Sequence, residues 1–259
     1  MAIKKNTLRI LGCSGGIGGS RRTTSMLLDH DILIDAGSGV GDLSIDELKL
    51  IDHIFITHSH LDHICFIPFL LDTVIGLRNN PITVHTTQKT WDIIKKHIFN
   101  WEIWPDFTTI PDSSNPILRF NAIEIGQPEE VNGREITALP ANHVVPATGF
   151  QINNGNASLV FTGDTDRCDE LWEFINSIKN LEYLIIETAF GEKEKILAQQ
   201  SKHLCPSSLK TELLKLKLSP HIFITHLKPG EEECVLTEID SLNLRNKPLE
   251  LAQSQIIEF

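Results

Sequence analysis

Short apolar stretches bounded by turn residues alternate along this chain with longer stretches of helical period. Residues 7–11, 23–28 and 32–34 read as strands, the last two separated by the turn Asp29-His30-Asp31. A short helical stretch over 43–49 leads into 51–57. That run is apolar and rich in β-branched residues, as in a strand buried on both faces. Residues 61–75 read as one buried helix. Further strands are predicted at 82–85, 117–123, 135–139, 148–151, 158–161, 183–186, 221–225 and 255–258, and helices at 88–98, 169–178, 206–216 and 231–242. Pro206 suits a first helical turn. The connections are short, so a single α/β domain over residues 1–259 is expected. Residues 99–116 are the exception. With Pro105, Pro111, Pro116 and four bulky aromatics, they read as a loop or lid within that domain.

One hexapeptide occurs twice: His53-Ile54-Phe55-Ile56-Thr57-His58 and His221-Ile222-Phe223-Ile224-Thr225-His226. Each is an apolar strand ending in Thr-His. The strands before Thr162-Gly163-Asp164 and before Glu187 follow the same plan. Four strands thus deliver a polar residue at their C-terminal ends, where functional groups gather in α/β sheets. The echo points to two related halves.

Composition narrows the partners. The net charge is −11 with no basic stripe, which favours a small substrate over a long nucleic acid. The longest apolar run, 64–71, is too short to span a bilayer and contains Pro68, so no membrane partner is expected. The start, Met1-Ala2-Ile3-Lys4-Lys5-Asn6, is positively charged but has no apolar core behind it, unlike a signal peptide. Five cysteines, an odd number with no C-x-x-C pair, fit a reducing, cytoplasmic setting and argue against a thiolate zinc site.

The strongest chemical signal is His58-Ser59-His60-Leu61-Asp62-His63, four ligand-type side chains directly after a buried strand. Unligated in a buried corner, such a cluster would carry a desolvation cost of roughly several kcal/mol, which packing alone does not explain. In an extended loop His58 and His60 project to one side and can share an ion, while Asp62 and His63 point toward a second position. Zinc needs at least three protein ligands, so the others are expected from later strand ends: His143, Asp164 and His226.

With those pieces in place the chain resembles the metallo-β-lactamase superfamily, through Ile34-Asp35-Ala36-Gly37, Thr57-His58-Ser59-His60-Leu61-Asp62-His63, His143, Gly163-Asp164-Thr165 and Thr225-His226. The resemblance implies a four-layer αββα sandwich with the site at one edge. It implies one ion on His58, His60 and His143, a second on Asp62, His63 and His226, Asp164 bridging both, and Asp35 steadying the ligand loop. A narrower resemblance, to class II cyclic-nucleotide phosphodiesterases, rests on several segments. They are Arg22-Thr23-Thr24-Ser25, His97-Ile98-Phe99-Asn100 with Ile103-Trp104-Pro105, Asn142-His143-Val144-Val145-Pro146-Ala147, His203-Leu204 with Pro206, and His226-Leu227-Lys228-Pro229. After Gly163-Asp164-Thr165 the chain runs Asp166-Arg167-Cys168, where that pattern would have a small, glycine-containing turn.

The expected reaction is hydrolysis of a 3′,5′-cyclic nucleotide, cAMP or cGMP, by a hydroxide activated between two divalent ions about 3.5–4 Å apart. Zinc is favoured by the five histidines with carboxylates, and iron or manganese are the other occupants considered. The candidate catalytic groups are Asp62, His203 and Glu187, with His203 donating the leaving-group proton while Glu187 holds it. Trp101, Trp104 and Phe107 are expected to stack on the base, and Arg22 to reach the phosphate. A homodimer is admitted by this reading. The rival readings are an RNA 3′-processing nuclease, a carbon-ester, thioester or lactam hydrolase on the same frame, and a non-enzymatic metal module. Gly12-Cys13-Ser14-Gly15-Gly16 fits G-x-S-x-G, but a strand follows where a nucleophile elbow needs a helix. His30, His53, His85, His97 and His221 read as structural or surface residues.

Overall fold

A computed structural model describes residues 5–259. The chain opens with β1 (Thr7–Gly12), β2 (Ser25–Leu28), β3 (Ile32–Ala36), α1 (Ile45–Leu48), β4 (His53–Phe55), α2 (Leu61–Ile64), α3 (Ile67–Val74), β5 (Ile82–Thr86), α4 (Gln88–His97) and β6 (Leu118–Ala122). It continues through β7 (Pro128–Val131), β8 (Arg134–Pro140), β9 (Thr148–Asn153), β10 (Ser158–Phe161), α5 (Asp169–Ser177), β11 (Leu181–Glu187), α6 (Lys195–Ser201), α7 (Pro206–Leu213), β12 (His221–Thr225), α8 (Glu232–Asp240), β13 (Leu249–Glu250) and β14 (Ile256–Glu258).

Two seven-stranded sheets form, in the orders β14-β1-β2-β3-β4-β5-β6 and β13-β12-β11-β10-β9-β8-β7. Strand alternation divides the apolar side chains into three layers. Leu8, Ile10, Met26, Ile34 and Phe55 meet Ile136, Phe150, Phe161 and Phe223 between the sheets. Leu33, Ile54 and Val84 face the other way, onto Leu70, Leu71 and Ile94 of α3 and α4. Val160, Leu184 and Ile224 face Leu171, Leu209 and Val235 of α5, α7 and α8. This is the expected αββα sandwich, and it forms one domain.

The halves share a plan. In the first sheet β1, β2 and β3 are each antiparallel to the next, and β4, β5 and β6 follow parallel to β3. In the second, β8, β9 and β10 run antiparallel, and β11, β12 and β13 follow parallel to β10. The repeated hexapeptide is out of step with this symmetry. It lies on the fourth strand of the first half, β4, and on the fifth of the second, β12. The architecture is duplicated, but the identical residues mark a common task rather than equivalent positions.

Two expectations need correction. The helix read over 61–75 is broken into α2 and α3, because Pro68 lies in the first turn of α3 and cannot continue a helix from α2. The strand read over 51–57 is regular only over β4, although its backbone bonds run from Asp52 to Ile56, and Thr57 N–H then turns to the Asp35 carboxylate.

Candidate metal centre

Asp35 is the penultimate residue of β3 and lies beside the parallel β4. Its carboxylate is fully buried and accepts from Thr57 N–H (2.8 Å), Thr57 Oγ1 (2.8 Å) and His63 Nδ1 (2.7 Å). Thr57 Oγ1 in turn accepts from His58 Nδ1 at 3.0 Å. These bonds place the ring protons on Nδ1 of both histidines and aim each Nε2 inward. Asp35 adopts φ 56°, a left-handed conformation that aspartate tolerates better than most residues.

The remaining groups arrive from the other sheet. His143 follows β8 and donates Nδ1–H to the Lys202 carbonyl at 3.1 Å, which turns Nε2 to within 3.2 Å of His60 Nδ1. Asp164 follows β10, with Oδ2 at 3.3 Å from His63 Nε2 and 3.7 Å from His58 Nε2. His226 follows β12 at φ 66° and lies 3.4 Å from Asp164 and 3.8 Å from Asp62. A non-glycine residue held at such a φ in a buried site is stored strain of roughly 1–3 kcal/mol, of the kind that clusters at functional sites.

Ligand-type atoms of His58, His60, His143 and Asp164 all lie within 4.8 Å of one another, and so do those of Asp62, His63, Asp164 and His226. Asp164 belongs to both sets. Nε2 of His58, His63 and His226 is buried without any hydrogen-bond partner. Buried orphans of this kind are costly unless something accepts their lone pairs. Two divalent cations fit that requirement, with Nδ1 of His58, His63 and His143 already oriented by outer partners. Burial pushes His226 down to about 3 and His143 to about 4, so both rings are neutral and ligand-competent near pH 7. Burial also pulls on His63, but flanking Asp164 and Asp35 raise it well above the usual range. An ion at that position must displace its proton.

Glu187 ends β11 fully buried and accepts from His203 Nδ1 at 2.8 Å, as well as from the N–H groups of Thr165, Ala189 and Leu204. Burial lowers His203, but the charge and hydrogen bond of Glu187 more than offset this and leave it raised. Its ring stacks at 5.2 Å on His226 and meets His143 edge-on at 5.0 Å, so it flanks both ligand sets.

The residues expected to contact substrate divide. Phe107 is 2% exposed within the core against Phe99, so it packs and cannot stack on a base, which corrects the expectation. Trp101 is 65% exposed, while Trp104 is half-buried and edge-on to Phe69 at 5.2 Å. Arg22 is paired with Asp42 at 3.0 Å. Thr57 and the Lys202 carbonyl orient ligands and were not singled out. Thr57 lay in the motif, whereas a carbonyl acceptor leaves no trace in a sequence. Among the described residues no helix is long and apolar enough to cross a membrane.

A sequence profile for the beta-lactamase superfamily domain matches residues 30–231. The endoribonuclease YSH1 of Kluyveromyces lactis is 30% identical over 168 residues, covering 56% of this chain and 20% of that protein. A probable 3′,5′-cyclic-nucleotide phosphodiesterase of Yersinia pestis is 25% identical over 218 residues, covering 71% of this chain and 59% of its own length. The chain therefore spans about a fifth of the first relative and three fifths of the second. The crystal structure of unliganded yeast PDE1 superposes with a TM-score of 0.81 at 19% identity over 97% of this chain and 98% of that one, a likeness of fold.

Proposed function

The chain belongs to the metallo-β-lactamase superfamily, and from that membership we propose that it is a two-metal phosphodiesterase acting on 3′,5′-cyclic nucleotides. The observation that carries the reading is the Glu187–His203 pair set against two ligand clusters that share Asp164. His58, His60, His143 and Asp164 would hold one ion, and Asp62, His63, His226 and Asp164 the other. Bound there, two divalent ions, zinc by the donor set, would supply positive charge for the phosphate and lower the pKa of water toward ~7.

The chain's own groups supply the rest. Glu187 fixes Nδ1 of His203 and leaves Nε2 to protonate the departing oxygen, which is a poor leaving group as an alkoxide. Burial of the ligand side chains keeps bulk water from screening the charges that face the substrate. Trp101 and Trp104 are our candidates for contact with the base, and Arg22 for contact with the phosphate.

An RNA endonuclease is the second reading, favoured by the YSH1 relatives. Between His143 and Asp164, however, the chain forms the β9–β10 hairpin, which leaves no extra segment for gripping a large RNA. The net charge of −11 also fits a small substrate better. Zinc-loaded protein assayed side by side on cAMP, a precursor tRNA and a lactone separates the readings, with turnover of cAMP expected. His203→Ala should lower kcat on cAMP about 10²–10⁴-fold while leaving two ions bound. An unchanged kcat would remove the proton-donor role.

A further inference from the structure

A cleft of about 160 Å³ opens beside His203, outside the ligand clusters, between the turn after β10 and helices α6 and α7. Asp166 and Arg167 form one wall, Lys195 and Gln199 come from α6, Thr211 comes from α7, and His203 also lines it. This is where the chain carries Asp166-Arg167 in place of a small turn.

The wall is a fixed frame. Asp166 N–H donates to the Asn142 carbonyl at 2.9 Å, and Asn142 Nδ2 donates to the Arg167 carbonyl at 2.9 Å. Lys195 is engaged by Glu192 and Ser207, and Thr211 donates to the Ser207 carbonyl. The side chains of Asp166, Arg167 and Gln199 make no hydrogen bond to another described residue, and those of Arg167 and Gln199 are exposed. The first two form a loose ion pair at 3.8 Å, longer than a hydrogen bond, so each keeps room for a further polar partner.

The three groups differ in kind. A carboxylate only accepts, a guanidinium only donates, and an amide does both. Hydroxyls, which also do both, match that mixture. A phosphate would be opposed by Asp166. The size admits about one sugar ring and not a nucleoside. Position adds the last constraint: a proton donor faces the leaving oxygen, so whatever carries that oxygen lies on the His203 side of the phosphorus.

We propose that this cleft is a sugar subsite, in which Asp166, Arg167 and Gln199 read the 2′-hydroxyl of the ribose whose 3′-oxygen departs. The inference rests on the phosphodiesterase reading with His203 as proton donor. It names the hydroxyl that tells ribose from deoxyribose.

The test uses zinc-loaded full-length protein. Calorimetry of the product 5′-AMP against 2′-deoxy-5′-AMP should give a ratio of about 10- to 100-fold in favour of the ribonucleotide, the range for a hydrogen bond to a charged group. Arg167→Ala should bring that ratio near one, and Arg167→Lys should restore part of it. Turnover of bis(p-nitrophenyl) phosphate, which has no sugar, should stay within about twofold of wild type in both variants, a change small beside the tenfold that one lost hydrogen bond to a charge produces. Equal binding of the two nucleotides by wild type overturns the subsite. So does a ratio that survives Arg167→Ala, or a variant that loses turnover of the sugar-free substrate. Wild type that cannot hydrolyse bis(p-nitrophenyl) phosphate overturns the phosphodiesterase reading beneath it instead.

Discussion

Asp35 receives three hydrogen bonds in a place with no solvent to replace any of them. In Asp35→Asn an amide NH₂ would confront either Thr57 or the Nδ1–H of His63, and the ring could answer by moving its proton to Nε2, the atom needed for an ion. Zinc affinity should fall about 10- to 100-fold, as for other outer partners of metal-binding histidines. Competition against a chelating indicator measures this, with circular dichroism to verify that the fold persists. An unchanged affinity would reduce Asp35 to a packing residue. Asp35 was readable in the sequence because it lies near the end of an apolar strand in a recognisable motif. The burial of Phe107 was not: in a proline-rich loop no period tells an inward aromatic from an outward one, and Phe107 and Trp101 look alike.

At the level of elements, strands were legible wherever both faces are buried, because a continuous β-branched run suits a doubly covered strand and little else. Strand β7, Pro-Glu-Glu-Val, has one buried residue of four, and α6 buries only Ala198 while exposing Ile196 and Leu197. Their hydrophobic pattern contradicts their structure, and neither was found. The candidate ligand set was legible because its members lie at strand ends, which the fold brings together. The cleft beside His203 was not, since it needs a turn and two helices brought together. Close packing between elements also sets a sharp limit at Gly37, where an added Cβ would meet the Asp62 carbonyl at 2.3 Å and the Thr24 carbonyl at 2.6 Å. Gly37→Ala should therefore displace the loop that carries the ligands, costing about 1–3 kcal/mol and most of the zinc capacity. Urea unfolding and metal analysis on one preparation test both, and a fully loaded, fully stable variant would contradict the tight packing around Gly37.

Across the whole molecule, the two sheets are clasped by Arg134 of β8. It reaches Asp31 through two bonds, at 2.8 and 2.5 Å, and Asp29 at 2.8 Å, in the turn joining β2 and β3. Burial alone would raise Asp31, but hydrogen bonds from Arg134 and Asn132 win and hold its carboxyl below the usual range. A depressed folded-state pKa contributes stability that is complete above the unfolded value of about 3.9 and disappears as pH falls through the folded value. Asp31→Asn should thus cost about 3–5 kcal/mol at pH 7, the range for breaking a buried pair. The gap from wild type should narrow below about pH 4. Urea titrations at the two pH values decide it, and a pH-independent gap would place the cost in packing.

The residues that would grip the ions come from both halves of the duplicated sheet plan, with Asp164 common to the two sets. A cation seated there would be a rivet through the seam, present only while the lobes are closed. Occupancy and foldedness would then be a single thermodynamic variable: every ion gained holds the lobes together, and every opening of the seam sets an ion free.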